Sequence, residues 1–541
     1  MANATFPRKQ FEKEIGKLDE KMQNKIAMFG TPLEKFDDNE IEIEVFPNRP
    51  DLLSYHGFKR SFLAFLGKKT GLKKYQVHKP EKDYKIKIDS SLKNIRPYTA
   101  CAIIKGLKFD DDKIKEMIDI QEKLHQTLGR KRKKLAIGIY PLEQIKLPIT
   151  FTAMEPDKIK FIPLESEREM SGLQILQRHP TGREYAHLLA GKAKFPVFID
   201  ADKNVLSMPP VINSHKTGKV TTETKDVFVE CSGFDFNSLN KCLNIIVTNL
   251  ADMGGKIYQM ELHYPDKKIT PNLNPEKIKI NQKNVNELLG VELKEKEIKT
   301  LLEKMGYDYF KGIIETPSWR TDILHEVDLI EDIAIAYGYE NFIPDIPNKL
   351  STVGEEDKKE TIKRKIGEIL SGMNILEISN YHLTTKREQF RNMSMPEEKI
   401  TEVENSKTDY AILRKDLTHY LMKVLSENVD SEYPQKIFEI GKVFTPDETE
   451  NLALAITPSN FTEIRQILEY LFKMININVK IEEPEKVPNY FIDGRTAEIK
   501  LEDKTIGFIG EIHPKILRNW KIKMPVSLFE INLEKVFEKL N

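Results

Sequence analysis

Residues 318–339, SWRTDILHEVDLIEDIAIAYGY, put an acidic cluster and an apolar stripe into one short segment. Ile323, Val327, Ile330, Ala334 and Tyr337 recur at steps of three and four, the spacing that turns one helix face toward a core. Asp328, Glu331 and Asp332 fall at i, i+3 and i+4, so the same helix stacks their carboxylates on a second face. Like charges so placed cost about 0.2–0.5 kcal/mol per pair, and a cation or basic partner reverses the sign. Asp322, six residues before Asp328, lies about 120° off that face in a continuous helix and joins the cluster only from the entry turn. Oxygen ligands alone suit Mg²⁺ rather than zinc. Spacing by itself favours the plainer reading, an acidic solvated face near a helix N-terminus.

Around this stretch, 541 residues are too many for one core, and three to four domains are expected. Lys plus Arg (84) balances Asp plus Glu (84), so no global basic field marks a nucleic-acid binder. Local basic runs remain: Lys59-Arg60, Lys68-Lys69, Lys73-Lys74 and, strongest, Arg130 to Lys134. Cys101, Cys231 and Cys242 form no CxxC pair, which points to a reduced, cytoplasmic setting without disulfides or a thiolate zinc site. No apolar run is long enough for a membrane span, and a soluble, untargeted chain is expected.

In chain order, residues 1–84 read as a small α+β module. A helix from about Asp19 is followed by the alternating strand Glu40–Val45 and the turn Phe46-Pro-Asn-Arg-Pro-Asp51, whose Asp51 can cap the helix running to Gly67. Residues 85–265 are β-rich, with strands 85–88, 99–104, 135–140, 195–199, 205–208, 226–232 and 256–263, and helices 112–128, 183–190 and 238–253. In the strand from Asp226, Val227, Val229 and Cys231 share one face, and Phe228, Glu230 and Ser232 the other. Residues 268–347 form a compact third part, and Pro344, Pro347 and Gly354 mark a linker. The last part, 355–541, alternates helices (one from about 361, one over 414–427) with strands, as an antiparallel sheet flanked by helices does. The fold class is α+β multidomain. GxxxxGK[ST], GxGxxG and HExxH are all absent, which leaves NTPase, dinucleotide and zinc-protease readings unsupported.

Five ordered motifs carry a resemblance: Phe46–Ser54 (FPNRPDLLS), Leu128–Lys134 (LGRKRKK), Leu206–Ser214 (LSMPPVINS), Pro317–Tyr339, and Asp493–Arg495 with Gly510–Pro514 (GEIHP). Together they resemble the β subunits of phenylalanyl-tRNA synthetase of archaeal and eukaryotic type, over nearly the whole chain. The resemblance implies an editing domain at 85–265, a winged-helix-like domain at 268–347 and a class II synthetase-like module at 355–541. It also implies that Asp322, Asp328, Glu331 and Asp332, in the family spacing D-x5-D-x2-E-[ED], bind Mg²⁺ near a partner α subunit. Phenylalanine activation and ATP binding would reside in that α subunit. In this chain Leu413-Arg-Lys-Asp416 and Phe438-Glu-Ile-Gly441 are only isolated fragments of class II motifs, so it carries no aminoacylation residues of its own. An (αβ)₂ assembly acting on tRNA(Phe) is implied.

The family's editing pocket, which removes tyrosine mischarged on tRNA(Phe), maps onto Phe198, Ser207, Glu230 and Ser232. Three of these depart from the archaeal pattern: Phe for Leu, Glu for Asp, Ser for Thr. Glu230 is expected to accept the tyrosine hydroxyl, and positioned water to hydrolyse the ester. His179 and His187, without a partner visible in sequence, read as structural. Two alternatives stay open: a nonenzymatic tRNA-binding scaffold whose editing pocket has decayed, and a free-standing metal-dependent hydrolase, which lacks an evident base.

Overall fold

The computed structural model describes residues 2–344, 346 and 352–540. Pro347, the expected end of the third part, lies outside the described residues, as does the terminal Asn541. By contacts the chain divides into Met1–Asp345 and Ile346–Asn541.

In the first unit, the strand Glu40–Val45 buries Ile41, Ile43 and Val45 on one face, as its alternation requires, and is flanked by Ala2–Pro7 and Leu33–Phe36. Ala2–Pro7 has no clear sequence signature, because only Ala4 and Phe6 of its six residues are buried. The helix Tyr55–Phe65 lays Phe58 and Phe62 on this sheet. Its cap is Ser54, whose Oγ accepts from the Gly57 amide at 3.1 Å, and not Asp51. The short turn Pro50–Leu52 directs the fully buried Asp51 back onto Arg49, which donates to it at 2.9 and 2.8 Å. Gly57 permits this packing, since a Cβ there would lie 2.1 Å from the Asp51 carbonyl oxygen.

An eleven-stranded sheet forms the middle of the unit. Its main path runs Ile212–Asn213, Val205–Met208, Phe195–Ile199, Ile149–Met154, Lys85–Ile88, Lys256–His263, Tyr98–Lys105, Val227–Gly233, Leu135–Pro141. Ile149–Met154 escapes a sequence reading although it pairs on both sides. The expected helix 183–190 is instead Pro180–Tyr185 followed by the tight turn Ala186–Leu188, started by Pro180 at its first position.

The two ends of the main path meet. Tyr140 on the last strand donates to Ser207 near the first at 2.8 Å, and Arg132 donates to the Val211 carbonyl at 2.9 Å. The sheet therefore curls around an inner core of Phe151, Phe198, Leu206, Phe228 and Tyr140. Val227, Val229 and Cys231, on the opposite face of their strand, pack in a separate core with the helix Phe236–Asp252. That outer core continues into the N-terminal module and into the helices Gln282–Leu289, Glu295–Lys304 and Glu326–Tyr337, which surround a three-stranded sheet.

In the second unit, seven strands run in the order Leu376–Glu377, Gln435–Phe444, Glu448–Thr457, Ser527–Asn532, Lys504–Ile512, Phe491–Leu501, Lys480–Glu482. Only the first pairing is parallel. Helices Lys358–Gly372 and Phe461–Met474 pack in one core of this unit and Thr418–Glu427 in another. The helix expected over 414–427 begins at Thr418, where Glu530 accepts from the Leu417 and Thr418 amides. Arg414 precedes it, fully buried on Glu439 at 2.6 Å. Among the described residues no helix is long and apolar enough to cross a membrane.

Candidate functional site

Glu230 sits in the middle of the strand Val227–Gly233, paired with Cys101 on one side and Gly138 on the other. Only 2% of it is exposed, and its Oε2 has no hydrogen-bond partner. Burial drives its carboxyl up to about 8, against the pull of the nearby Arg96 guanidinium. Glu230 is therefore largely protonated at neutral pH and can both donate and accept. The Tyr140 hydroxyl lies 2.8 Å from Ser207 Oγ, 3.3 Å from Glu230 Oε1 and 3.4 Å from Asn213 Oδ1. With one proton to give, it serves the nearest acceptor, Ser207, and its oxygen remains open to the Glu230 proton. Its ring crosses Gly138, where a Cβ would lie 2.1 Å from the hydroxyl.

Glu230 borders a cavity of about 160 Å³, together with Arg132, His125, Pro210, Ile137 and Asn213. A cavity of roughly 150 Å³ holds benzene, so this one has the size of a single aromatic ring. His125 Nε2 accepts from the Ile137 amide at 2.8 Å, which puts its proton on Nδ1, directed to Glu122 at 3.1 Å. Burial pushes this imidazole down, so it is a neutral wall and not a free base.

Of the four residues mapped to this site, Glu230 alone borders the cavity. Ser207 reaches Glu230 only through Tyr140. Phe198, opposite Ser207 in the strand register, is fully buried and stacks on Phe151 with ring centroids 4.1 Å apart. Ser232 is held by Arg96, which donates to its Oγ at 3.0 Å and its carbonyl at 2.6 Å. Tyr140 was not singled out from sequence, and Arg132 and Asn213 entered only as members of the motifs Leu128–Lys134 and Leu206–Ser214. The only signal for Tyr140 was its two-residue step from Gly138 on a strand whose pairing was unknown. His179 contacts the Leu164 carbonyl at 3.1 Å and His187 the Glu184 carbonyl at 3.0 Å, both local structural contacts.

The acidic stretch folds differently from its spacing. The helix begins at Glu326, so Ile323 precedes it and Val327 is 52% exposed, while Leu329, Ile330, Ile333 and Ala334 are buried. Asp322, Asp328, Glu331 and Asp332 all border one cavity of about 390 Å³, with Arg49 and Tyr339. Asp332 is not on a solvated face: 4% exposed, it pairs with Arg320 at 2.9 Å and accepts from the Tyr307 hydroxyl. Arg320 also grips Asp322 through two bonds of 2.8 and 2.7 Å. Burial raises the Asp322 carboxyl, but the Arg320 guanidinium and, less strongly, Arg49 outweigh it and hold it below the usual range. Asp328 caps the helix, accepting from the Leu324 and His325 amides at 2.7 Å each. Glu331 and the second oxygens of Asp328 and Asp332 stay uncommitted. Among the described residues no three His, Cys, Asp or Glu side chains close into a cage for an ion.

The family model for the tRNA synthetase B5 domain matches residues 278–339, and that for the phenylalanyl-tRNA synthetase beta chain CLM domain matches 343–533. The phenylalanine–tRNA ligase beta subunit of Pyrococcus furiosus is 42% identical over 507 residues, 91% of this chain and 90% of that one. The chain belongs to the phenylalanine–tRNA ligase β-subunit family. The Archaeoglobus fulgidus beta subunit is 37% identical over 98% of this chain and 97% of its own. A crystal structure of an N-terminal fragment of the Pyrococcus horikoshii phenylalanyl-tRNA synthetase beta subunit aligns with a TM-score of 0.59 at 38% identity, covering 62% of this chain and 99% of the fragment.

Two outcomes follow for this β-subunit chain. Arg320→Ala leaves two buried carboxylates unpaired and is expected to lower stability by about 3–5 kcal/mol in urea unfolding; a change under about 1 kcal/mol would contradict the pairing. The folded Glu230 keeps its proton from its ordinary 4.5 up to about 8, so stability is full below 4.5 and lost as pH rises toward 8. The expected slope approaches 1.4 kcal/mol per pH unit, about one proton's worth, and Glu230→Gln should flatten it.

Proposed function

We propose that this chain is the β subunit of a phenylalanine–tRNA ligase that hydrolyses tyrosine mischarged on tRNA(Phe) at the Glu230 cavity. Phenylalanine activation and ATP use belong to a partner α subunit, in an (αβ)₂ assembly working in the cytoplasm. In the same reading residues 1–84 are a supporting module, 85–265 the editing domain, 268–347 a winged-helix-like domain and 355–541 a class II synthetase-like module. The observation that carries the editing role is the unpaired Oε2 of a buried Glu230 beside a ring-sized cavity. A phenol entering it satisfies that oxygen, whereas phenylalanine leaves it unpaired. Buried polar recognition of this kind discriminates by roughly 10⁴–10⁵, where an apolar pocket rejects an added hydroxyl by only about 10².

Glu230→Ala in the assembled enzyme is expected to slow deacylation of Tyr-tRNA(Phe) by about 10²-fold or more. An unchanged rate removes Glu230 from the mechanism. A second reading, a tRNA-binding scaffold with a closed pocket, draws on the Tyr140 hydroxyl that already stands beside Glu230 and Ser207. Failure of the wild-type assembly to deacylate Tyr-tRNA(Phe) selects it.

The acidic cavity suits a hydrated Mg²⁺, an ion that keeps several waters and takes one or two carboxylates. Glu331 with the free oxygen of Asp328 would hold it, while Asp322 and Asp332 would hold Arg320. Bound there, the ion would neutralise the acidic face near the partner subunit. Added Mg²⁺ should raise the Tm of the full chain and Glu331→Gln should cancel the rise; an equal rise in both refutes the assignment.

A further inference from the structure

The segment that joins the helix Asp111–Gln126 to the strand Leu135–Pro141 has an unusual backbone. Arg130, Lys131 and Arg132 take φ values of 48°, 54° and 62°, three successive left-handed residues without a glycine among them. Side-chain-bearing residues avoid this region, and a run of three persists only where surrounding bonds enforce it. Those bonds are present: the amides of Lys131, Arg132 and Lys134 donate to the carbonyls of Gln126, His125 and Gly129. Arg132 turns inward, onto Glu122 at 2.7 Å, the Val211 carbonyl and the Tyr185 ring, and lines the Glu230 cavity. Arg130, Lys131, Lys133 and Lys134 turn outward and are exposed, and among the described residues none of the four is ion-paired. The turn thus fixes one cation in the cavity wall and leaves four exposed on either side of it in the chain.

A second observation is independent of charge. Gly233 pairs with Leu135, so the next residue, Phe234, emerges beside Lys134. Phe234 is 53% exposed, an unusual position for a phenyl ring at the end of an otherwise buried strand. Arg96, the residue that holds Ser232, lies 5.5 Å from its centroid. Phe234 follows directly on the end of the strand that carries Glu230, four residues further along the chain, a separation of up to about 13 Å.

Unpaired cations beside an exposed aromatic ring are the two components of a single-strand nucleic-acid platform: the cations track phosphates and the ring stacks a base. We infer that Arg130, Lys131, Lys133, Lys134 and Phe234 form a docking platform for the single-stranded 3′ end of an RNA, leading it along the strand to Glu230. The assignment rests on the editing reading for its purpose, but not for its binding chemistry. The left-handed turn fixes the backbone that carries these cations, so little backbone order has to be gained when the strand arrives.

The test uses the full chain with its α subunit and two probes: a fluorescent single-stranded RNA with the tRNA(Phe) 3′ sequence, and Tyr-tRNA(Phe). Lys131→Asn with Lys133→Gln and Lys134→Gln removes three charges, asparagine being suited to the left-handed position. This variant should weaken oligonucleotide binding at least tenfold and lower the slope of log affinity against log salt by about 2, at about 0.7 per phosphate for single strands. Phe234→Ala should weaken binding about fivefold or more with the salt slope unchanged, and Phe234→Trp should restore it. In deacylation both defective variants should raise KM and spare kcat. Unaltered oligonucleotide affinity and salt slope in the charge variant, or equal binding by Phe234→Ala and Phe234→Trp, overturns the platform. Weakened binding without wild-type deacylation keeps the platform and refutes the editing reading. Normal binding by these variants, with deacylation lost in Glu230→Ala, does the reverse.

Discussion

The Tyr140 hydroxyl joins two strands at opposite ends of a sheet path and stands at the carboxyl on which the proposed chemistry depends. By donating to Ser207 it closes the curl of the sheet and so buries Glu230, and that burial raises the Glu230 carboxyl. Without that curl, Glu230 would lie on an open strand face, solvated and ionised near its ordinary value. With it, one oxygen is left unpaired beside a cavity of aromatic size, a costly arrangement that a phenol relieves. Recognition by relief of an existing polar deficit explains how one hydroxyl group could be read at all.

Buried charge is handled differently at the acidic cavity. There Arg320 takes two carboxylates, Asp322 and Asp332, while Asp328 is spent on the helix start. A cluster that looks self-repelling in sequence is largely neutralised by one guanidinium from the turn before the helix. Only Glu331 and two remaining carboxylate oxygens are free for an outside cation, which favours an ion that retains its water.

The alternating strand Glu40–Val45 was legible, following directly from its period-two burial and flanking turns. The opposite faces of Val229 and Glu230 were equally readable. Rules of spacing failed where distant groups decide. Asp51 looked like a helix cap until Arg49 and the Pro50–Leu52 turn claimed it, and Arg414 looked helical although Glu439 holds it outside the helix. The start of the helix at Glu326 rotated the apolar stripe, exposing Val327 and burying Leu329 and Ile333. At the Glu230 site, the pairing of Tyr140 with Ser207, 67 residues apart, had no local signal, because strand order cannot be read from alternation. The resemblance brought Glu230 into view, and the closed sheet puts it at the cavity while Phe198 stacks on Phe151 and Ser232 accepts from Arg96.

The most direct measurement is the ratio of deacylation rates, kcat/KM for Tyr-tRNA(Phe) over Phe-tRNA(Phe), in the wild-type assembly. Recognition through a buried unpaired carboxyl requires a ratio of about 10⁴ or more. A ratio near one would contradict it, because a cavity that reads only ring size treats the two side chains alike.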